Sequence, residues 1–418
     1  MHRQAATVSE RTPAPRAELS TGVATLEAAP AEGLRPSRAK GLRILMIVES
    51  AGGGTGRHVL DLSEGLAQRG CEVHLIYSTG RIDRMFTDRL AELHGVRRTA
   101  LAMRTSPHPG DLGVVRAVRR YARTNGPFDV IHGHSSKGGA IARLAAFGTP
   151  ASAVYTLHGL IMMDPLLPRW KWLLYWSIEL GLSLRTGRII AVSPEESRAA
   201  VRLGLGRSRM VTVPNGVGPA DLTPRPQARR LLNVSDDAIV IGFVGRLVEQ
   251  KAPEVLIRAF AATSRVTPAA RLALVGAGPL EAPLRELAGQ LGVADKVIWL
   301  GERDARGVLA AFDIFALSSR KEGLPYVVLE AMAAGLPVVA TSSAGVEILI
   351  DPGVSGTVVG PDDVEAFAAA LIDLTGNPRR LAEFGQASYE RSLQFTVDAM
   401  ADRTLDAYLS TVGEAHAS

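Results

Sequence analysis

The chain has 418 residues, of which 46% are hydrophobic and 21% charged, so it has the composition of a globular protein that is too long for one hydrophobic core. Its net charge of +5 and pI near 9.5 favour acidic surfaces, but only 5% of residues are aromatic and no basic patch is interleaved with stacking rings, which argues against nucleic-acid binding. The single cysteine, Cys71, cannot form an internal disulfide and fits a reducing compartment.

Residues 1–40 are rich in Ala, Pro, Arg, Ser and Glu and lack the apolar core of a signal peptide, so we expect a disordered tail. The most apolar long stretch, 166–184, contains Arg169, Lys171 and Glu179 and fails as a transmembrane span. Together these features predict a protein that stays on the cytoplasmic side.

From Leu42 onward, short apolar runs alternate with longer amphipathic stretches, which is typical of a parallel sheet wrapped by helices. In the first half of the chain this pattern predicts strands at 43–48, 72–77, 129–131, 153–157, 188–192 and 210–213.

A glycine-rich segment follows the first predicted strand and precedes a helix. Its backbone amides, at Gly52, Gly53 and Gly54, are candidates to face a phosphate or the substrate. The segment lacks the Lys-Ser/Thr of a P-loop and the order G-x-G-x-x-G, which weighs against ATP, GTP and NAD. A flexible turn without a ligand is the alternative.

Two features of the first half are typical of contact with an anionic membrane. Four arginines form one face of a predicted helix, at Arg116, Arg119, Arg120 and Arg123. Three of the four tryptophans then cluster at Trp170, Trp172 and Trp176. A solvated helix face and a packed core stripe are the respective alternatives. Because both features lie in the first half, they predict that this half handles a membrane-borne acceptor.

Histidines mark the ends of two predicted strands. His158 is placed to hydrogen-bond a sugar hydroxyl, with a structural role as the alternative. His132 and His134 are spaced like a pair of metal ligands. No third ligand stands nearby in the sequence and the chain has no Asp-x-Asp, so we expect no metal.

The turn at 214–217 and the Pro-rich segment 219–226 mark a domain boundary. A second series of strands is predicted at 240–244, 271–275, 296–300, 313–317, 337–340 and 356–359. We therefore expect an α/β protein with two doubly wound, Rossmann-like domains facing each other across a cleft, the usual ligand position in such folds. The expected parts are the tail (1–40), a first domain (41–215), a second domain (216–396) and a C-terminal helix that packs back on the first domain (397–418).

Two loops of the second domain are candidate phosphate sites. Arg246 and Lys251 lie five residues apart beyond the first strand of that domain, and two cations match a diphosphate leaving group. Gly276 and Gly278 close the next strand, where a base or phosphate can approach the backbone. Solvated cations and a plain turn are the alternatives.

Two carboxylates frame the most informative segment, 320–335. Gly323 and Pro325 keep Glu322 in a loop, and Pro325 at the first helical position leaves the first-turn amides free to favour a pyrophosphate. Glu330 lies about a turn into that helix. Because an ionised carboxylate accepts two hydrogen bonds, each Glu suits a ribose diol or vicinal sugar hydroxyls. An exposed loop Glu and a helix-surface Glu are the alternative.

With these motifs in order, residues 42–412 resemble the family 4 retaining glycosyltransferases of GT-B fold, especially bacterial enzymes of cell-surface polysaccharide assembly. The resemblance rests on the glycine-rich loop, on 156–159, on 214–217, on Gly245-Arg246 with Lys251, on 276–279 and on 322–335.

The resemblance implies that the first domain (41–215) binds the acceptor and the second (216–396) binds the nucleotide sugar. It also implies a role for each matching residue. Arg246 and Lys251 would hold the diphosphate, Glu322 the sugar hydroxyls near the anomeric carbon, and Glu330 the ribose. His158 would bind the distal sugar hydroxyl. The loop 52–54 would lie near phosphate and acceptor, and backbone groups would line the phosphate and sugar at Leu324, Pro325 and Tyr326. Ala277 stands where the family often has an acidic residue, so no side-chain role is assigned there.

The implied activity is transfer of a hexosyl group from a UDP- or GDP-sugar to a hydroxyl of a lipid-linked or oligosaccharide acceptor, with retention and without a metal or other cofactor. Such an enzyme would make cell-envelope glycan or exopolysaccharide at the cytoplasmic face of the inner membrane. Two alternatives remain: an epimerase or hydrolase of the same shape, which would need dedicated acid/base carboxylates, and a noncatalytic protein that binds nucleotide sugars or a membrane surface.

Overall fold

The computed structural model describes residues 40–164, 167–343 and 345–417, with side chains up to residue 413. The tail expected at 1–40 therefore lies outside the described residues, except for Lys40. The described chain forms two fully parallel sheets of seven and six strands, each wrapped by helices.

The first sheet has the strand order β3-β2-β1-β4-β5-β6-β7. Its strands are β1 (Arg43–Val48), β2 (Glu72–Tyr77), β3 (Val96–Ala100), β4 (Val130–His134), β5 (Ser152–Thr156), β6 (Arg188–Ala191) and β7 (Met210–Thr212). Its helices are α1 (Gly53–Gln68), α2 (Arg84–Glu92), α3 (Asp111–Asn125), α4 (Ser135–Ala146), α5 (Arg169–Ser183) and α6 (Pro194–Arg202).

The sequence predicted six of these seven strands and missed β3. Interior strands such as β1 are apolar on both faces because helices cover both sides of the sheet. β3 is an edge strand whose Arg97 and Arg98 are exposed, so it lacks the apolar run that identifies the others.

The second sheet has the order β10-β9-β8-β11-β12-β13. Its strands are β8 (Ile239–Val244), β9 (Ala270–Val275), β10 (Val297–Gly301), β11 (Ile314–Leu317), β12 (Val338–Thr341) and β13 (Gly356–Val359). Its helices are α7 (Arg225–Leu232), α8 (Pro253–Val266), α9 (Glu281–Gln290), α10 (Tyr326–Ala333), α11 (Val346–Leu349), α12 (Val364–Gly376) and α13 (Pro378–Ser392). All six predicted strands are present, within one or two residues at each end.

The chain crosses between the domains twice at one point. Val217 forms an isolated parallel bridge with Thr396. Gly216 is required there, because a Cβ on it would lie 2.2 Å from the Thr396 carbonyl oxygen. The outgoing linker and the returning chain therefore lie side by side.

The last helix, α14 (Val397–Ala417), returns to the first domain as predicted. Its buried residues Met400 and Leu405 belong to the same core cluster as Val59 and Leu66 of α1. The buried Arg69 side chain adds ion pairs to the carboxylates of Asp398 (3.1 Å) and Asp402 (2.6 Å). Among the helices described, none is both long and apolar enough to cross a membrane.

Candidate active site

Lys251 and Glu322 meet at the carboxyl edge of the second sheet. Lys251 ends a 3-10 turn (Glu249–Lys251) beyond β8, and Glu322 lies in the loop beyond β11, so adjacent parallel strands deliver both side chains to one place. Lys251 Nζ donates to Glu322 Oε1 at 2.5 Å. The side chains are only 19% and 9% exposed, so the ion pair is sheltered from solvent screening.

Hydrogen bonds hold the two loops together. Ser318 Oγ, at the end of β11, lies 3.0 Å from the Lys251 carbonyl oxygen and 2.8 Å from that of Ala252. Gln250 Nε2 donates to the Lys321 carbonyl oxygen at 2.9 Å. The position of Lys251 relative to Glu322 is therefore set by backbone contacts as well as by charge.

Arg246 and the glycines after β9 also lie at the carboxyl edge of the second sheet. The Arg246 side chain is exposed, and the structure shows it in no ion pair with any residue that it describes. Gly276 has φ of 132°, and a Cβ on it would lie 2.0 Å from the Gly245 carbonyl oxygen. A Cβ on Gly278 would lie 2.3 Å from the Leu247 carbonyl oxygen. The glycines are thus required for direct backbone contact between the loops after β8 and β9, and phosphate binding by these loops stays a prediction.

The helix that carries Glu330 begins one residue later than predicted. Pro325 is the N-cap of α10 and Tyr326 is its first helical residue, so Pro325 does not occupy the first helical position. Glu330 is the fifth residue of α10, about a turn in as predicted, with a side chain 14% exposed.

Arg57, from α1 of the first domain, donates to Glu330 Oε1 across the cleft. Its guanidinium carbon lies 4.8 Å from the centre of the Tyr326 ring, and its Nε lies 3.4 Å from Asp61 Oδ2. Burial opposes the charge on Arg57, but the carboxylates of Glu330 and Asp61 outweigh it and raise the Arg57 pKa. The cation therefore stays charged at the domain interface.

The glycine-rich loop packs against the second domain. A Cβ on Gly54 would lie 3.4 Å from the Tyr326 ring. The Gly53 amide, however, donates to Asp83 Oδ2 at 2.6 Å, so this N–H is already used by a carboxylate. Among the three glycines predicted to face phosphate or substrate, Gly53 is thus engaged within its own domain.

Asn215, in the interdomain linker, joins both sides of the cleft. Its Nδ2 donates to the Leu324 carbonyl oxygen at 3.0 Å, and its Oδ1 lies 3.0 Å from His58 Nδ1. The linker thereby connects the loop of Glu322 to the histidines of the first domain.

Four imidazoles cluster at the carboxyl edge of the first sheet. One nitrogen each of His58, His134 and His158 lies within 4.8 Å of the others. His132 packs against His134 with ring centres 4.1 Å apart, while its nitrogens contact Tyr408 Oη (2.6 Å) and Thr156 Oγ1 (2.8 Å).

The expectation that no third ligand stands near His134 is therefore wrong. Sequence spacing could not detect His58 or His158, because the sheet brings them together from separate elements. Burial lowers the pKa of all four histidines, and that of His58 to about 4, although the hydrogen bond that His58 donates to Asn215 acts in the opposite direction. The cluster is therefore neutral at pH 7.

Glu196 supports the loop of His158. His158 has φ of 53°, an unfavourable value for a non-glycine residue. The buried Glu196 carboxylate accepts from the Gly159 amide at 2.6 Å and from the Val192 amide at 2.9 Å. These bonds tie the His158 turn to the start of α6.

The predicted membrane residues divide into exposed and packed ones. Arg116, Arg120 and Arg123 are exposed, whereas Arg119 donates to the carbonyl oxygens of Leu144 and Phe147 at 2.8 and 2.9 Å. Arg119 is thus partly occupied in joining α3 to the end of α4.

Two of the three tryptophans predicted to contact a membrane are half-buried and pack against neighbouring parts of the first domain. Trp172 and Trp176 stack with ring centres 6.1 Å apart, and their indole N–H groups donate to the Met162 and Leu203 carbonyl oxygens. The packed-core alternative applies to this pair. The outer face of α5 is instead apolar at Trp170, Leu173, Leu174 and Ile178, which are 64%, 56%, 45% and 40% exposed.

Sequence reasoning assigned no role to Arg57, His58, Asn215 or Glu196. The available signal was position: Arg57 and His58 follow a glycine-rich loop at a cleft edge, and Asn215 lies in the predicted linker. Glu196 gave no such signal, because its function depends on a loop 37 residues away in the chain.

Comparisons with known proteins match both domains. The family model described as Glycosyltransferase Family 4 covers residues 52–221, and the one described as Glycosyl transferases group 1 covers residues 224–391. A D-inositol 3-phosphate glycosyltransferase of Actinosynnema mirum is 30% identical over an alignment of 397 residues that covers 87% of this chain and 92% of that protein. One from Stackebrandtia nassauensis is 33% identical over 316 residues, 71% of each chain.

Solved structures share the fold. HepE of Anabaena in complex with UDP superposes with a TM-score of 0.75 at 23% identity, over 88% of this chain and all of that one. The complex of HepE with UDP-glucose gives a TM-score of 0.73 at the same coverage. These neighbours confirm the predicted pair of facing Rossmann-like domains.

Proposed function

The chain belongs to the family 4 glycosyltransferases of GT-B fold, and on that premise we propose that it moves a hexosyl group from a UDP- or GDP-sugar to a hydroxyl acceptor, with retention and without a metal. The observation that carries the proposal is the sheltered 2.5 Å contact between Lys251 and Glu322, at the sheet edge that also bears Arg246. The HepE complexes with UDP and UDP-glucose support a nucleotide-sugar donor.

Charge neutralisation is the proposed source of catalysis. As the bond from the anomeric carbon to the diphosphate breaks, negative charge develops on the leaving phosphate while the sugar becomes oxocarbenium-like. Arg246 and Lys251 stabilise the phosphate, where a metal ion would otherwise be needed. Glu322, next to Lys251, accepts hydrogen bonds from the sugar hydroxyls.

Retention follows if the acceptor attacks from the face that the diphosphate leaves. The acceptor oxygen then bonds to the anomeric carbon, and its proton passes to the departing phosphate oxygen. A covalent intermediate on Glu322 is disfavoured, because double displacement needs a second carboxyl group across the scissile bond and the side chain nearest Glu322 is the Lys251 cation.

The acceptor is proposed to be a lipid-linked saccharide or another glycan of the cell envelope. The exposed apolar face of α5 and the exposed arginines of α3 lie in the same domain, which suits peripheral contact with an anionic membrane on the cytoplasmic side. Trp170 is the member of the tryptophan cluster that lies on this face.

Donor binding with EDTA present is the first test. Calorimetry against UDP-glucose, UDP-galactose, UDP-N-acetylglucosamine, GDP-mannose, UDP and GDP is expected to select one base. Anomeric configuration of the product, read by NMR, then checks retention. No nucleotide binding by the folded protein would contradict the donor site, and donor binding without transfer to any glycan would favour the noncatalytic alternative.

A further inference from the structure

We propose that His58, His134 and His158 form a binding site for a divalent transition-metal ion such as Zn²⁺. They converge from three elements of the first domain: His58 lies in α1, His134 ends β4 and His158 follows β5. One nitrogen from each lies within 4.8 Å of the other two. Three imidazoles with an open fourth position are a known ligand set for zinc.

Hydrogen bonds determine which nitrogen of His58 has a lone pair for a cation. The Leu324 carbonyl oxygen can only accept, so the Asn215 NH₂ group must face it and the amide oxygen must face His58 Nδ1. An amide oxygen also only accepts, so His58 Nδ1 carries the proton and Nε2 carries the lone pair.

That Nε2 atom is buried, and no described group hydrogen-bonds to it. His58 itself is only 1% exposed. A buried lone pair without a donor is unsatisfied, and a cation would satisfy it. The contact with Asn215 is the outer-shell hydrogen bond that metal-bound histidines usually make.

His134 and His158 complete the site. His134 Nδ1 and His158 Nε2 are 3.1 Å apart. Zinc–nitrogen bonds of about 2.0–2.1 Å place ligand nitrogens about 3.4 Å apart. The spacing of His134 and His158 is therefore suitable, and His58 needs to approach by up to roughly 1.4 Å. His132 is excluded because both its nitrogens are already engaged.

The bound ion would coordinate the imidazole of His158. The family resemblance implies that this same imidazole binds the sugar of the donor. The ion is then an inhibitor that competes with the donor, and it is not a catalytic cofactor. This consequence, unlike the binding itself, rests on the proposed function.

Cobalt binding tests the site without any assay of transfer. Titrating the untagged, chelator-treated full chain with Co²⁺ is expected to produce visible absorption that saturates at one ion per chain and disappears when Zn²⁺ is added. His58→Ala is expected to weaken binding at least tenfold, whereas His74→Gln, outside the cluster, leaves it unchanged. No saturable absorption, or equal affinity in the His58→Ala chain, overturns the site.

A measurement on the unaltered protein guards against misfolding of that variant. X-ray absorption of the zinc-loaded chain is expected to show three imidazole ligands, and fewer than three overturns the site.

A transfer assay tests where the ion binds relative to the donor. Zn²⁺ is expected to raise the donor KM without lowering kcat, and EDTA is expected to reverse the effect. A fall in kcat alone overturns the placement of the ion at the sugar. Cobalt binding without transfer from any donor would contradict the proposed function but support the metal site. Transfer without cobalt binding would support the proposed function but contradict the metal site.

Discussion

Arg57 and Glu330 form an ion pair that spans the cleft, with side chains 20% and 14% exposed. The guanidinium also lies over the Tyr326 ring, in the first turn of the helix that carries Glu330. Because a carboxylate has two oxygens, Glu330 can keep Arg57 on one of them and accept a ribose hydroxyl on the other. Arg57 thus holds the carboxylate in place from the opposite domain.

Replacing Arg57 with Ala is expected to destabilise the protein by about 2 kcal/mol, because Glu330 would keep a largely buried charge without its partner. Calorimetric melting of the purified variant measures this. Arg84→Ala is the matched control, since Arg84 is 93% exposed and faces Asp88 at 3.6 Å on a helix surface. Equal melting temperatures for the two variants would show that the cleft-spanning pair contributes no stability.

Glu322→Ala and Lys251→Ala are each expected to lower kcat by about 10²-fold or more. Lys251 stabilises the charge that develops on the leaving phosphate, and Glu322 positions the sugar through its hydroxyls. Steady-state transfer assays measure the loss, and circular dichroism checks that folding survives. Glu249→Ala alters an exposed carboxylate in the same turn and should keep normal turnover. Near-normal activity of the Glu322→Ala or Lys251→Ala variant would contradict the role proposed for these residues.

Glu196→Gln is expected to reduce activity through the position of His158. The glutamine NH₂ group would face a backbone amide that now donates to the carboxylate, which leaves two donors opposed in a buried site. We expect a cost of about 1–3 kcal/mol in stability and a raised donor KM. Glu195→Gln, one residue earlier and half-buried, serves as the control. An unchanged KM in a destabilised variant would limit Glu196 to a structural role.

Stability is expected to fall on acidification partly through His74. Its nitrogens contact Tyr121 Oη at 3.0 Å and Glu72 Oε1 at 2.9 Å, and burial lowers its pKa although Glu72 acts in the opposite direction. The unfolded chain therefore binds this proton first, near pH 6.5. The contribution of His74 is full above that pH and is lost as pH falls towards the folded pKa, by at most about 1.4 kcal/mol per pH unit.

Urea unfolding of His74→Gln at pH 7.5 and 5.5 measures this effect. The variant is expected to lose less stability between the two pH values than the parent chain. Other buried histidines, which both proteins contain, also contribute to the loss of stability between these pH values. An equal loss of unfolding free energy in the variant and the parent would show that His74 does not contribute to the pH dependence.

The outer face of α5 is expected to bind anionic membranes. The double variant Trp170→Ser with Leu174→Ser removes two of its exposed apolar side chains, and it should sediment less with anionic liposomes at low salt. Leu231→Ser changes an equally exposed leucine (54%) in the second domain and should have no effect. Failure of the parent chain to sediment at all would refute peripheral membrane contact.

Most of the secondary structure could be predicted because it depends on neighbours in the chain. Parallel strands covered on both faces need continuous apolar runs, so twelve of the thirteen described strands are recognisable from the sequence. The exception, β3, lies at an edge where charged side chains are tolerated. The motif residues Lys251 and Glu322 could likewise be assigned to strand ends of one domain, but the pairing of β8 with β11 was seen only in the structure.

The sequence by itself thus determined the two-domain α/β architecture, the strand ends that carry the donor motifs and the return of the last helix. Only the tertiary structure decided which distant side chains meet: Arg57 with Glu330, 273 residues apart, and His58 with His134 and His158. It also decided that Trp172 and Trp176 pack inward while Trp170 stays exposed. The physical reason is that local periodicity selects helices and strands, whereas these contacts depend on strand register, on the helix face that each residue occupies and on the path of the interdomain linker.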